Sequence, residues 1–539
     1  VMRRWNGWGD EQFNLELPAQ GQSFLADRLG PGRPLSDARL ESVLSRVPET
    51  RLPADINVDA LIDTSPEARV RHARGQSLPD WLAMRSGEFG IFPDGVASPE
   101  NSLDVQKLLQ YAQSSKVDLI PYGGGTSVAG HINPVAGDNP VLTVDMGRMN
   151  RLRDLDRESQ IATFGAGTPG PLVESQLRAQ GYTLGHFPQS FELSTIGGWV
   201  ASRSSGQQSL RYGRIEQLFA GGRIETLKGT LNLPTIPASS AGPDIREMVL
   251  GSEGRIGLIT EVKVRVSPLP EKESFHVVFF PDWHKARTAC RKLVQNRTQL
   301  SMLRLSNAIE TETQLALAGH PHLIGAMEKL FSLRGVGEGK CMMTFGLTGT
   351  PRQCASARKE ARRICAEYKG VYTGTRLGKK WAEKRFTMPY LREALWQLGY
   401  AVDTLETATD WDNVDNLLGL METNLREGLK SREQSKSEHT HVFTHLSHVY
   451  GQGCSLYTTY VFRVADSYDE TLARWKHLKN TTSDLIVRNR GTISHQHGVG
   501  KDHAPFLAVE KGELGMLAIR SLCSTFDPEG ILNPKTLIE

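Results

Sequence analysis

The chain has 539 residues, 39% of them hydrophobic and 23% charged, and a formal net charge of +3. A single core rarely grows to that length, so two or three domains of an ordinary soluble protein are expected. The small net charge gives nucleic-acid binding no compositional support, and no apolar run approaches the roughly 18 residues of a membrane-spanning helix. Met2 to Trp8 lead into polar sequence with no apolar stretch behind them, unlike a secretory signal. The six cysteines, Cys290, Cys341, Cys354, Cys365, Cys454 and Cys523, are scattered without a Cys-x-x-Cys spacing. Free buried thiols in a reducing cytoplasm are expected, rather than a disulfide framework or structural zinc.

Residues 1–90 are broken by prolines and carry charged, helix-prone pieces such as Ser36 to Ser45; they predict an N-terminal helical extension wrapping the first domain. From 91 to 269 the pattern changes to short apolar strands between glycine turns, at Val117 to Tyr122, Val141 to Val144, Ile161 to Phe164 and Leu258 to Val266. A helix from Ser102 to Ser114 carries an apolar stripe of Leu103, Val105, Leu108, Leu109 and Tyr111. Strands alternating with helices predict an α/β or α+β domain.

Directly behind the strand Val117 to Tyr122 stands Gly123-Gly124-Gly125-Thr126-Ser127. Consecutive glycines let backbone N–H groups approach an anion closely, and the two hydroxyls add donors, which suits a pyrophosphate. The run lacks the Gly-Lys-Ser/Thr ending of a P-loop. Gly130 and Pro134 follow too closely for the long helix of a dinucleotide fingerprint.

Pro268 to Glu273 is a linker. Strands and helices then recur from 270 to 482, with a helix at Trp283 to Asn296, as in a cap or substrate domain on an antiparallel sheet; residues 483–539 are expected to return to the first domain. Leu315, Leu317, Leu323, Ile324, Met327 and Leu330 have the spacing of an amphipathic helix pair, explained by core packing. Arg358 to Arg385 hold ten Lys or Arg against three acidic residues. A solvated helix face is the plain reading, and peripheral contact with an anionic membrane surface is the alternative.

Three groups in the C-terminal half are candidates for chemistry. His495 and His497 flank Gln496 in a loop bounded by Gly498 and Gly500, and imidazoles suit proton transfer near neutrality. Tyr457 follows a glycine turn on a strand. Arg304 and Arg392 stand in mainly apolar surroundings, and a planar guanidinium is the preferred partner of a phosphate or carboxylate.

Together with Pro121 to Gly130, residues 185–218 and 243–260 match, in order and spacing, the FAD-binding domain of vanillyl-alcohol-oxidase-type flavoenzymes, which the chain resembles. The resemblance implies an α+β fold: a PCMH-type FAD-binding domain of two subdomains, plus a cap domain on an antiparallel sheet. It implies that Pro121, Gly123, Gly124, Gly125, Thr126 and Ser127 hold the FAD pyrophosphate. Gln189, Ser190, Ser194, Thr195, Gly197 and Gly198 would line the flavin side, with Glu253, Gly254 and Ile259 near the adenine or ring end. Arg4 to Gly9, Leu303 to Leu305, Tyr390 to Arg392, Thr444 to Tyr457 and Ser494 to Lys501 extend the likeness over nearly the whole chain to the alkyldihydroxyacetonephosphate synthase family.

That family makes ether lipids without net redox change: the flavin N5 forms an adduct with the dihydroxyacetone phosphate unit as a fatty acid leaves, and a fatty alcohol then adds. The resemblance implies acyl-dihydroxyacetone phosphate and a long-chain alcohol as substrates. No histidine stands within Gly123 to Ser127, although His131 is close by, so non-covalently bound FAD is expected; a homodimer is expected as well. Tyr457, His497 and His495 would handle protons, Arg392 would anchor the leaving carboxylate or the phosphate, and Arg304 would support that site. The family has three successive histidines where this chain has His495-Gln496-His497, so no proton role is available at Gln496. The alternative is a related FAD-linked oxidoreductase that dehydrogenates a 2-hydroxy acid or phosphorylated polyol. Those dehydrogenases hold a metal with paired histidines and a glutamate. Gln496 replaces that carboxylate, and His445 and His448 alone make a poor ligand set, so no metal is expected.

Overall fold

The computed structural model describes residues 2–318 and 321–539, without the side chains of Pro321 and Leu323. The part of the helix-pair spacing that falls on Leu323 therefore lies outside the described residues.

The first sheet has Gly95–Ala97, Val141–Asp145 and Asp118–Tyr122 in parallel, with Ile62–Asp63 antiparallel at its edge. Helix Ser102–Ser115 joins two of these strands. Asn101 caps its first turn, and Val105, Leu108, Leu109 and Ala112 bury its apolar side against Leu119, Leu142 and Val144. The second sheet is antiparallel, in the order Leu152–Asp156, Ile161–Gly165, Leu258–Arg265, Phe219–Thr226, Gly229–Leu233. Along Leu258–Arg265 buried residues alternate with half-buried ones, and Val262 and Val264 meet Val173, Leu177 and Val200 of the covering helices.

A third, antiparallel sheet follows the linker, ordered Val371–Tyr372, Lys272–Phe280, Cys341–Gly349, Met302–Ser306, Thr440–Leu446, Gly453–Arg463, Tyr400–Asp410. Helices Trp283–Gln295, Pro351–Glu367, Val414–Gly428 and Tyr468–Arg488 pack on one of its faces. Because side chains alternate along a strand, Leu303, Leu305, Val442, Leu446, Leu456 and Tyr460 enter that packed layer. Their neighbours Arg304, Phe443, His445, Tyr457, Thr459 and Val461 face the opposite way, into a cavity shared with the first half of the chain.

Two expected boundaries shift. Ile62–Asp63 belong to the first sheet although they precede residue 91, and residue 483 falls inside helix Tyr468–Arg488. Near the C-terminal end, Leu532 bridges Leu119, and Arg255 donates to the carbonyls of Thr536 (2.9 Å) and Ile538 (3.3 Å). Within the extension, Ser36 to Ser45 is helical only over Leu40–Leu44, where Arg39 offers no side-chain cap. Helix Ala19–Leu29 packs Leu25 and Leu29 against Leu395, Tyr400 and Val461 rather than on the first domain. No helix among the described residues is long and apolar enough to cross a membrane.

Candidate active site

The cavity, about 450 Å³, lies between the glycine loop and the open face of the third sheet. Pro121, Gly123, Gly124, Gly125, Thr126, Ser127, Gln189, Ser190, Ser194, Thr195, Gly197, Gly198, Glu253, Gly254 and Ile259 all line it, as do Arg304, Arg392, Tyr457, Gln496 and His497. His495 does not reach its wall.

The glycine loop is held from behind. A Cβ on Gly124 would strike the Leu193 carbonyl, and Gly125 has a φ of +66°, which side chains rarely adopt. Arg3 fixes the Gly124 carbonyl at 2.6 Å. Among the described residues, the N–H groups of Gly124, Gly125, Thr126 and Ser127 have no protein acceptor. Buried amides are almost always paired, so a row of free ones on a cavity wall fits the pyrophosphate of FAD. Ser127 departs from its expected donor role. Its Oγ lies 2.6 Å from His131 Nδ1, and His131 Nε2 lies 2.8 Å from Glu253 Oε1.

The sheet wall is built from side chains. Cross-strand register sets Glu406 opposite Tyr457 and Tyr457 opposite His445. The His445 ring stacks on Tyr457 with centroids 4.8 Å apart, and the His497 ring meets Tyr457 edge-on at 5.9 Å. Burial pushes the Tyr457 hydroxyl up to about 12, so it stays protonated at neutral pH. Burial lowers His497, and the nearby Glu406 carboxylate only partly offsets this, so its ring is neutral.

Glu406 organises the histidine loop. Its Oε1 accepts the N–H groups of Gln496 (2.8 Å) and His497 (3.0 Å) and the Ser494 hydroxyl (3.0 Å). His495 Nδ1 lies 3.3 Å from Oε2 and His497 Nδ1 lies 3.6 Å from Oε1. Although burial opposes it, these partners hold the carboxyl well below the ordinary glutamate range. His495 sits one layer back, its Nε2 lying 2.8 Å from Arg214 Nη1 and 2.7 Å from the Tyr450 hydroxyl. Burial lowers its pKa too, and it serves as a buried brace for the loop.

The two arginines differ. Arg304 pairs with Glu310 at 2.7 Å, and the same carboxylate takes His445 Nδ1 at 3.0 Å. Arg392, on helix Met388–Gln397, lies over the Trp81 ring at 4.7 Å and gives one N–H to the Gln76 carbonyl. Its Nε and Nη2 are buried with no partner. A buried guanidinium left partly unpaired is costly, and an anion in the cavity would satisfy it. His445 and His448 do not converge: His448 bonds the Gly206 carbonyl and Ser447. Among the described residues no group of three metal-ligating side chains is assembled.

Glu406, Glu310 and the His131 link were not found by sequence reasoning. The only signal was indirect: a buried histidine loop and a cavity-facing arginine each call for a counter-charge.

Residues 93–232 match the family described as FAD binding domain, and residues 269–537 match FAD linked oxidases, C-terminal domain. The chain is 32% identical to alkyldihydroxyacetonephosphate synthase of Dictyostelium discoideum over 99% of this chain and 93% of that protein. It is 28% identical to the Trypanosoma brucei brucei protein of the same name, covering 99% and 92%. A solved alkyldihydroxyacetonephosphate synthase structure superposes with a TM-score of 0.83 at 27% identity, over 99% of this chain and 98% of that one. A structure of p-cresol methylhydroxylase, 14% identical with a TM-score of 0.66 over 89% of this chain and 94% of that one, shares the PCMH-type fold.

Proposed function

The chain belongs to the alkyldihydroxyacetonephosphate synthase family, and we propose that it replaces the acyl group of an acyl-dihydroxyacetone phosphate with a long-chain alcohol, with FAD as its cofactor. The observation that carries this is Arg392: a buried cation with unpartnered N–H groups, opening on the cavity that also holds Tyr457, His497 and the glycine loop. In the exchange a fatty acid leaves as a carboxylate and an alcohol gives up its hydroxyl proton. The site therefore needs an anion holder, a proton acceptor and a hydrogen-bond donor.

Arg392 binds the carboxylate or the substrate phosphate through Nε and Nη2. His497, neutral because it is buried, accepts the alcohol proton at Nε2, since Nδ1 lies beside Glu406. Tyr457, still protonated, donates its O–H to the departing ester oxygen. His495 and Glu406 fix the loop that carries His497, and Arg304 with Glu310 fixes His445 against Tyr457. FAD held by the glycine loop would supply an electron sink for the exchange. Leu25, Leu317, Leu391 and Leu395 line the part of the cavity suited to alkyl chains.

The same reading carries a homodimer in the cytoplasm and peripheral contact with an anionic membrane. The exposed basic side chains of helices Pro351–Glu367 and Arg376–Lys384 support the membrane contact. Sedimentation and pelleting with anionic vesicles test these two points.

The reaction itself is tested by anaerobic stopped-flow absorbance of the yellow protein. Loss of the oxidised flavin band with palmitoyl-dihydroxyacetone phosphate, release of palmitate and recovery on adding hexadecanol are expected. Bleaching by a 2-hydroxy acid alone, reversed by an electron acceptor, would replace the synthase reading with a dehydrogenase.

A further inference from the structure

The exchange chemistry makes no use of residues 3–10, although Arg4 to Gly9 is one of the stretches that carry the family resemblance. These residues form a closed arm. Arg3 bridges Asp10, the Arg4 N–H donates to the Gly9 carbonyl (2.8 Å), and the Glu11 N–H donates to the Met2 carbonyl (3.0 Å). Gly9 has a φ of +71°, and a Cβ there would strike the Tyr390 side chain. The arm is tied to both walls of the cavity. Gln76 Nε2 donates to the Gly7 carbonyl (3.1 Å) and Arg85 Nε to that of Asn6 (2.8 Å). The Asp10 N–H donates to the hydroxyl of Tyr390 (3.1 Å), on the helix that carries Arg392. At the other wall, Arg71 Nη1 holds the Arg3 carbonyl at 2.9 Å, and the Arg3 side chain reaches the Gly124 carbonyl of the glycine loop.

That last contact decides which way a peptide faces. In a trans peptide the carbonyl and the following N–H point in opposite directions. With its oxygen drawn to Arg3, the Gly124–Gly125 unit turns the Gly125 N–H the other way, and among the described residues that N–H has no acceptor. The chain itself does little to keep it so. Both flanking residues are glycines, whose backbone takes either sign of φ, so rotation of this unit meets no Cβ. Rotated, it would aim a carbonyl oxygen at the anion in place of an N–H. We propose that Arg3 is a positioning residue for the cofactor: it locks the Gly124–Gly125 peptide with its N–H toward the cavity, and so sets the affinity of the loop for the FAD pyrophosphate. This rests on the glycine loop holding the pyrophosphate. A Cβ on Gly125 would meet the Arg3 guanidinium and the Tyr122 hydroxyl, so both groups lie directly against the loop. A full positive charge in that place favours an anion on the far side of the same peptide.

The full-length protein is freed of flavin, and FAD binding is followed by the change in flavin fluorescence. Arg3→Ala should raise the FAD dissociation constant about tenfold to a hundredfold, the scale of one hydrogen bond to a charged group. At saturating FAD its turnover should match wild type, and its flavin-free form should melt with flavin-free wild type. Guanidinium ion at millimolar concentration fits the space the side chain leaves. It should restore affinity in Arg3→Ala and leave wild type unchanged, with sodium chloride at equal ionic strength as the control. Wild-type affinity in Arg3→Ala would overturn the proposal. So would a loss of affinity that comes with a lowered flavin-free melt and no response to guanidinium, because the arm would then serve only the fold. If Arg3→Ala does not fold, Arg3→Met carries the same test by affinity alone. Gly124→Val separates this proposal from the reading beneath it. If that variant also keeps wild-type affinity, the loop does not hold the pyrophosphate; if it loses flavin while Arg3→Ala does not, only the assignment of Arg3 falls.

Discussion

One side of the cavity is made of backbone and the other of side chains. On the glycine-loop side the contacts offered are main-chain N–H groups, placed by residues whose value lies in having no Cβ. On the sheet side, Glu406, Tyr457 and His445 come from three adjacent strands, Arg392 from a helix and His497 from a loop. A backbone wall is tolerant of side-chain chemistry but intolerant of volume. A side-chain wall is the reverse: its strands accept substitution without collapse, and its function depends on particular atoms. Cofactor retention and turnover are therefore separable by mutation.

The sharpest break is Gly124→Val. Its Cβ would meet the Leu193 carbonyl, so the loop cannot keep its path, and the purified protein is expected to be colourless, measured as the flavin-to-protein absorbance ratio. A yellow Gly124→Val protein would mean that the loop does not hold the cofactor. Next in size, His497→Ala, Tyr457→Phe and Arg392→Met should keep the full flavin complement and lose turnover by about 10²–10⁴-fold. Loss of flavin from these variants would blur the two walls into one.

Glu406→Gln tests the layer behind the sheet wall. Turnover should fall by roughly tenfold to a hundredfold with flavin retained, the scale on which supporting groups act on the residues they orient. Stability gives an independent readout. The folded carboxyl lies well below its ordinary range, so its contribution is complete above the unfolded glutamate value and lost as pH falls through and below it. Thermal melts from pH 7 to 4 should show wild type losing more than Glu406→Gln over that interval. The smallest effect is expected where charge is already internally paired. Arg304→Met combined with Glu310→Gln removes both members together and should change turnover less than Arg392→Met alone, since an ion pair removed whole leaves no uncompensated charge.

The same contrast explains what the sequence made legible. Gly123 to Ser127, directly behind strand Asp118–Tyr122, and Gly197-Gly198, in the first turn of helix Ile196–Ser202, are marked locally by consecutive glycines, a pattern that suits a surface turn as well until the neighbouring blocks are read with it. His495 and His497 also stood out through the glycines around them, but only the fold separates their depths, because Arg214 and Tyr450 approach His495 from segments remote in sequence. Glu406 was invisible: Thr404-Leu405-Glu406-Thr407 looks like half of an ordinary amphipathic strand. It becomes a buried anion only when residues 494–497, some 90 positions later, fold their amides onto it. Arg304 and Arg392 looked alike in sequence. Glu310, one helical turn past the strand, distinguishes them. The expected borders at 91 and 483 do not follow the elements: strand Ile62–Asp63 joins the first sheet from well before residue 91, and helix Tyr468–Arg488 runs through residue 483.

The return of the C-terminal segment has a consequence for biosynthesis. Leu532 pairs with Leu119, Asn533 donates to the Glu253 carbonyl at 2.8 Å, and Arg255 ties down the carbonyls of Thr536 and Ile538. The first two sheets are translated early, yet the shell around Glu253 is not closed until residues 532–538 have emerged from the ribosome. Chains grow from the N-terminus, so the nascent first half must wait, open-sided, through the making of the entire third sheet. A ribosome stalled anywhere before residue 530 therefore carries a polypeptide in which the shell around Glu253 has not yet been closed.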